Sequence, residues 1–115
     1  MEFACAASGA KAVVVMGHTA CGAIKGAIDN VQLGNLTLLL DKIAPAVQSC
    51  SHHYAGVKTS KNAEFVDMVI QENVKMTVDN IRRRSPILRE MEERGEIKIV
   101  GSYYDMDIGE VTFFE

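Results

Sequence analysis

The residues best suited to chemistry stand together in the segment Gly17-His18-Thr19-Ala20-Cys21-Gly22. A histidine and a cysteine at this spacing can bring an imidazole nitrogen and a thiolate sulfur onto one ion, and both donors suit zinc. Gly17 and Gly22 let the backbone turn tightly around such a pair. The same residues also fit a buried thiol and a hydrogen-bonding histidine in a tight turn, and an H-x2-C pair alone does not separate the two readings. Elsewhere, Cys50, His52 and His53 lie close in sequence, but small polar neighbours make that stretch read as a solvated loop. Cys5 reads as a buried packing thiol.

The elements around the cluster decide where it is presented. Residues 11–16, Lys11-Ala12-Val13-Val14-Val15-Met16, read as a strand that is short, β-branched and apolar on both faces. A turn over residues 17–22 follows, so the cluster lies at the carboxyl end of a strand, where open parallel sheets bind ligands. Upstream, residues 2–8 look like the last turns of a helix with Gly9 as its left-handed cap. Downstream, a short helix is expected over residues 23–29. A second should run from Leu36, capped by Asn35, to about residue 48, with Pro45 limiting or bending its end. Residues 49–60 read as a surface loop.

Residues 62–84 carry the strongest helical pattern. Val66, Val69, Ile70, Asn73, Val74, Thr77, Val78 and Ile81 trace one stripe at 3-and-4 spacing. Ser85-Pro86 supplies a cap and a first-turn proline for a helix that stops at Gly95. Residues 97–104 form a second strand, 105–109 a turn and 111–114 a short antiparallel closing strand. Strand, helices, strand in that order implies a right-handed crossover and parallel pairing, hence an α/β layered domain.

Composition sets the outer bounds. The chain has 115 residues, enough for one domain over residues 1–115 with its own core and too few for two. With 48% hydrophobic and 23% charged residues, it is neither a disordered tail nor a disulfide-rich mini-protein. Twelve Lys plus Arg against fifteen Asp plus Glu give a net charge of −3, so no global positive field recommends a nucleic-acid partner. The basic run Arg82-Arg83-Arg84 fits a solvated last helical turn that complements the helix dipole. Three cysteines are an odd number, and Glu2 stands where a secretory leader would be basic; both suit a reducing compartment, the cytoplasm. No stretch approaches the roughly 18 apolar residues of a membrane span.

Several ordered motifs together carry a resemblance. Val13-Val14-Val15-Met16-Gly17-His18-Thr19-Ala20-Cys21-Gly22-Ala23 resembles the zinc-binding segment of the β-class carbonic anhydrases. Gly34-Asn35-Leu36, Glu72-Asn73-Val74, Ser85-Pro86-Ile87-Leu88 and residues 97–112 are similar to what that family carries in the same order. The likeness spans residues 2–113 and corresponds to the C-terminal half of the family's domain. It implies a truncated three-layer carbonic-anhydrase-like fold: two parallel strands plus a short antiparallel edge strand, with helices packed on the sheet. It also implies a zinc enzyme interconverting CO2 and bicarbonate, with His18 and Cys21 matching two of three protein zinc ligands. A zinc-dependent enzyme acting on another small heteroallene would fit the same scaffold.

The chain departs from the family at one point. The family's first zinc cysteine lies in a C-x-D-S-R segment that also supplies an Asp–Arg pair, and these 115 residues contain no such segment. A catalytic zinc site normally takes three protein donors and an open position, so weak or absent zinc and no appreciable activity are expected of this chain alone. The alternative is a non-catalytic, carbonic-anhydrase-like oligomerising or interaction module. In the family a further strand lies beside the one at residues 11–16. Without it, that edge would be free, so a homodimer or higher homo-oligomer is expected through this strand. Antiparallel pairing there would point the two strand ends apart, which prevents two His18–Cys21 pairs from pooling into one site.

Overall fold

Three strands and six helices make up the described residues, 1–114, of the computed structural model. In chain order they are α1 (Glu2–Ala6), β1 (Ala12–His18), α2 (Gly22–Ile28), α3 (Leu36–Asp41) and α4 (Ala44–His53), then α5 (Ala63–Arg84), α6 (Pro86–Glu93), β2 (Lys98–Asp105) and β3 (Glu110–Phe113). The sheet order is β1-β2-β3. β1 and β2 run parallel, in register from Ala12 opposite Lys98 to His18 opposite Tyr104. β3 returns antiparallel and pairs with Ser102 to Asp105 of β2. The expected arrangement, two parallel strands with a short antiparallel edge strand and packed helices, is the one observed.

α5 organises the rest. Asn62 accepts from the Glu64 and Phe65 amides and so starts the helix at the expected place. The sequence stripe is its buried face: Val66, Val69, Ile70, Val74, Val78 and Ile81 are all buried, with Phe65 beside them. One end of the stripe joins Ile24, Leu40, Ile43, Ala46 and Cys50 in a core among the helices. The other end, Val78 and Ile81, packs with Cys5, Leu88, Ile97 and Ile99 against the sheet and α6. Each fully buried side chain of this kind contributes about 1.5–3 kcal/mol, so α5 is the element whose burial holds helices and sheet together. Ser85 then caps α6 through the Leu88 amide at 3.2 Å, with Pro86 in the first turn.

Two glycines let α5 approach the sheet. A Cβ on Gly17 would lie 2.7 Å from Ile70 Cγ2 and 2.9 Å from Val74 Cγ2, and one on Gly101 would lie 2.7 Å from Val74 Cγ1. Gly17 is thus needed for close packing rather than for a turn.

Five expectations need correction. The strand does not stop at Met16: Gly17 and His18 pair with Tyr103 and Tyr104, which shortens the turn. Nor is β1 apolar on two covered faces. Val13 and Val15 are half-buried, while Val14 and Met16 are 47% and 51% exposed, because α5 covers only one side of the sheet. The helix expected from Leu36 to about residue 48 is two helices, and the Asn35 side chain makes no capping bond. Pro45 sits in the first turn of α4, the position its fixed φ and missing N–H favour, so it begins a helix instead of ending one. α4 then runs on to His53 through part of the supposed loop, because Ala46 and Cys50 face the core.

Candidate metal site at the end of β1

His18 is the last residue of β1 and Cys21 is the N-cap of α2, with φ −62° and ψ 118°. Thr19 and Ala20 join them. Ala20 holds φ +53°, left-handed backbone that costs a non-glycine residue roughly 1–2 kcal/mol. The turn is pinned from both sides: the Thr19 amide donates to Tyr104 O at 3.1 Å, and Thr19 Oγ1 accepts from the Met106 amide at 3.0 Å. Such over-determination is what keeps a strained residue in place.

The imidazole is oriented as well. His18 Nδ1 lies 2.9 Å from Thr19 O. A carbonyl only accepts, so Nδ1 carries a hydrogen, and in the neutral ring Nε2 is the nitrogen with the lone pair. That is the arrangement of a metal-binding histidine, whose second ring nitrogen donates to a carbonyl or carboxylate. Cys21 is half-buried and free, its thiol making no capping bond. The donor chemistry fits zinc, but the donor set is short. No group of three or more His, Cys, Asp or Glu placed to hold a metal occurs among the described residues.

The other candidates stand elsewhere. Cys50 is buried in the helical core, where burial pushes its thiol pKa up, with the Glu72 carboxylate adding to the effect. His52 and His53 are exposed on the last turn of α4, and His53 Nδ1 is 3.0 Å from Ser49 O. Cys5 is a buried packing thiol, as expected.

A cleft of about 510 Å³ lies beside the turn, lined by Thr19, Lys25, Lys61, Asp67, Tyr103 and Asp107 among others; neither His18 nor Cys21 lines it. Burial pushes the Tyr103 phenol above its ordinary value, and the nearby Asp67 carboxylate pushes it further, so Tyr103 stays protonated. Sequence reasoning missed this group. Tyr103 sits in a strand and Asp67 on a helix 36 positions earlier, a separation that no local pattern bridges.

Comparison with known proteins agrees with this frame. The carbonic anhydrase family model matches residues 1–111. The carbonic anhydrase of Synechococcus elongatus is 32% identical over 96% of the chain and 41% of its own length. That of Pseudomonas aeruginosa is 29% identical over 96% of the chain and 50% of its own length. Among solved structures, the β-carbonic anhydrase CafA of Aspergillus fumigatus superposes with a TM-score of 0.84 at 28% identity, covering 99% of this chain and 53% of that one. The chain belongs to the β-class carbonic anhydrase family. It spans about half the length of the curated relatives it matches.

Proposed function

We propose that the chain carries part of the zinc site of a β-carbonic anhydrase, the enzyme class that interconverts CO2 and bicarbonate, with His18 and Cys21 as two of the ligands. The observation that carries this reading is the His18 Nδ1 bond to Thr19 O, which leaves Nε2 free at a strand end three residues before a half-buried free thiol. In a complete site zinc lowers the pKa of bound water to near neutrality. Two donors do not complete such a site, so the 115-residue chain by itself hydrates CO2 at no appreciable rate and holds zinc weakly.

Metal analysis and stopped-flow CO2 hydration test this directly. Residual zinc should fall in both His18→Ala and Cys21→Ala. Zinc retained in both variants would move the site elsewhere. Activity that rises with added zinc and disappears in His18→Ala would overturn the inactivity of the isolated chain. The three free cysteines, two of them buried, support a reducing compartment and hence a cytoplasmic setting. No described helix is long and apolar enough to cross a membrane.

The chain also assembles, in this reading, through the open edge of β1. One relative by fold is described as tetrameric, a β-carbonic anhydrase of Sordaria macrospora.

A further inference from the structure

The cleft beside the His18–Cys21 turn is lined by charges of both signs that do not neutralise one another. Its volume, about 510 Å³, lies within the range usual for small-molecule sites, roughly 300–1,000 Å³. Lys25 and Lys61 line it together with Glu64, Asp67 and Asp107. Among the described residues the ion pairs all involve Arg82 or Arg94, so none of these groups is paired.

The cations and the anions come from different parts of the fold. Lys25 belongs to α2 and Lys61 to the loop before α5. The two segments are tied at Asp29, the C-cap of α2, which accepts from the Ser60 amide at 3.0 Å and from the Ser60 hydroxyl. Asp67, on α5, accepts from Gln71 Nε2 at 2.9 Å and faces the Tyr103 phenol. That phenol turns its hydrogen toward Asp67, so its oxygen keeps lone pairs for a further donor. Asp107 joins them from the β2–β3 turn, its amide bonded to Asp105 Oδ1 at 2.9 Å. Glu64 is exposed in the first turn of α5, where it complements the helix dipole. Val66 and Ile70 add an apolar surface to the same cleft.

A simple anion here would meet the carboxylates, and a simple cation would meet the ammonium groups, in each case a like-charge contact. A ligand with both signs avoids this. An ammonium group only donates, which suits Asp67, Asp107 and the Tyr103 oxygen. A carboxylate only accepts, which suits Lys25 and Lys61. A short methylene chain between the two ends suits Val66 and Ile70.

We propose that this cleft binds a small ω-amino acid, its ammonium group on Asp67, Asp107 and Tyr103 and its carboxylate on Lys25 and Lys61. The site stands apart from the zinc reading, since neither His18 nor Cys21 lines it.

Amide NMR titrations with γ-aminobutyrate and ε-aminocaproate test this, with butyrate, caproate, butylamine and hexylamine as single-charge controls. At least one of the two amino acids should move the amides of Thr19, Lys25, Lys61, Tyr103 and Asp107 and leave those of α6 in place. Its dissociation constant should lie about tenfold below those of its own two controls, the worth of one charge-assisted hydrogen bond. Lys25→Met keeps the stem and removes the charge, and Asp67→Asn keeps the shape and still accepts from Gln71. Each should weaken binding of the amino acid about tenfold. Lys25→Met should not weaken the amine control, nor Asp67→Asn the acid control. If Asp67→Asn does not fold, Asp107→Asn, in an exposed turn, takes its place. Three results would each overturn the proposal. They are no saturable shift with either amino acid, a control that binds within about twofold of it, and an affinity unchanged within about twofold in Lys25→Met or in the carboxylate variant.

Discussion

His18 and Cys21 are held by different means, and the difference sets what substitution does. The histidine is fixed by strand pairing and by its Nδ1 bond, whereas the cysteine is fixed only as the N-cap residue of α2. Thr19 ties the intervening turn to β2 and the β2–β3 turn, so its hydroxyl is the residue-scale support of the pair. Thr19→Val should lower the unfolding free energy by roughly 0.5–1.5 kcal/mol, measured in urea. Asn62 does more than cap α5: its amide also donates to the Tyr54 hydroxyl at 2.9 Å and to Val57 O at 2.7 Å. Asn62→Ala should therefore sit at the upper end of N-cap losses, about 2 kcal/mol. A loss below roughly 0.5 kcal/mol would show that water replaces these bonds.

At the scale of elements, α5 and its two glycine contacts dominate. Gly17→Ala would push a methyl into Ile70 and Val74, which stand on a buried helix and have little room to retreat. Overpacking of this kind costs about 1–3 kcal/mol, and equilibrium denaturation of the variant should show it. The joint between α5 and α6 depends on pH. The Arg82 guanidinium, hydrogen-bonded to Glu92, holds that carboxyl below its ordinary value of 4.5, and the Ile99 amide adds to the effect. A carboxyl with a lower pKa folded than unfolded stabilises the fold fully above the unfolded value. That contribution fades as the pH falls below about 4.5 and through the lower folded-state value. Glu92→Gln should remove this part of the acid sensitivity, so the two chains' urea midpoints should converge as the pH drops. Midpoints that stay parallel would place the acid sensitivity elsewhere.

The whole molecule is more open than its length requires. Its radius of gyration is 15.5 Å, where about 13 Å is usual for a domain of this size. The sheet is covered by α5 on one side only. On the other side Val14, Met16, Val111 and Phe113 stand exposed, Phe113 at 56%. Association through β1 is accordingly expected to be concentration-dependent. Val14→Lys, which places a charge on this exposed strand, should return the chain to a monomer in sedimentation without lowering its intrinsic stability by more than about 0.5 kcal/mol. A dimer that survives this change would place the interface elsewhere.

Much of the protein was legible in its sequence because the relevant signals are local. The stripe of α5, the Ser85 cap, the strand order and the Gly17–Gly22 cluster each depend on neighbours within a few positions. The misreadings fell where a distant partner decides. Pro45 starts a helix because Ala46 and Cys50 find a core against α5, and Gly17 belongs to a strand because Tyr103 lies opposite. The one-sided burial of β1 follows from α5 covering a single face of the sheet, which alternating valines cannot declare. Residue types and spacing thus pointed to the family and to His18 and Cys21 as the candidate donors. Tertiary structure alone decided which nitrogen of His18 meets a carbonyl, that Tyr103 meets Asp67, and that Arg82 and Glu92 take both backbone groups of Ile99. Those outcomes join groups far apart in the chain, and only packing brings them within hydrogen-bonding or Coulombic reach.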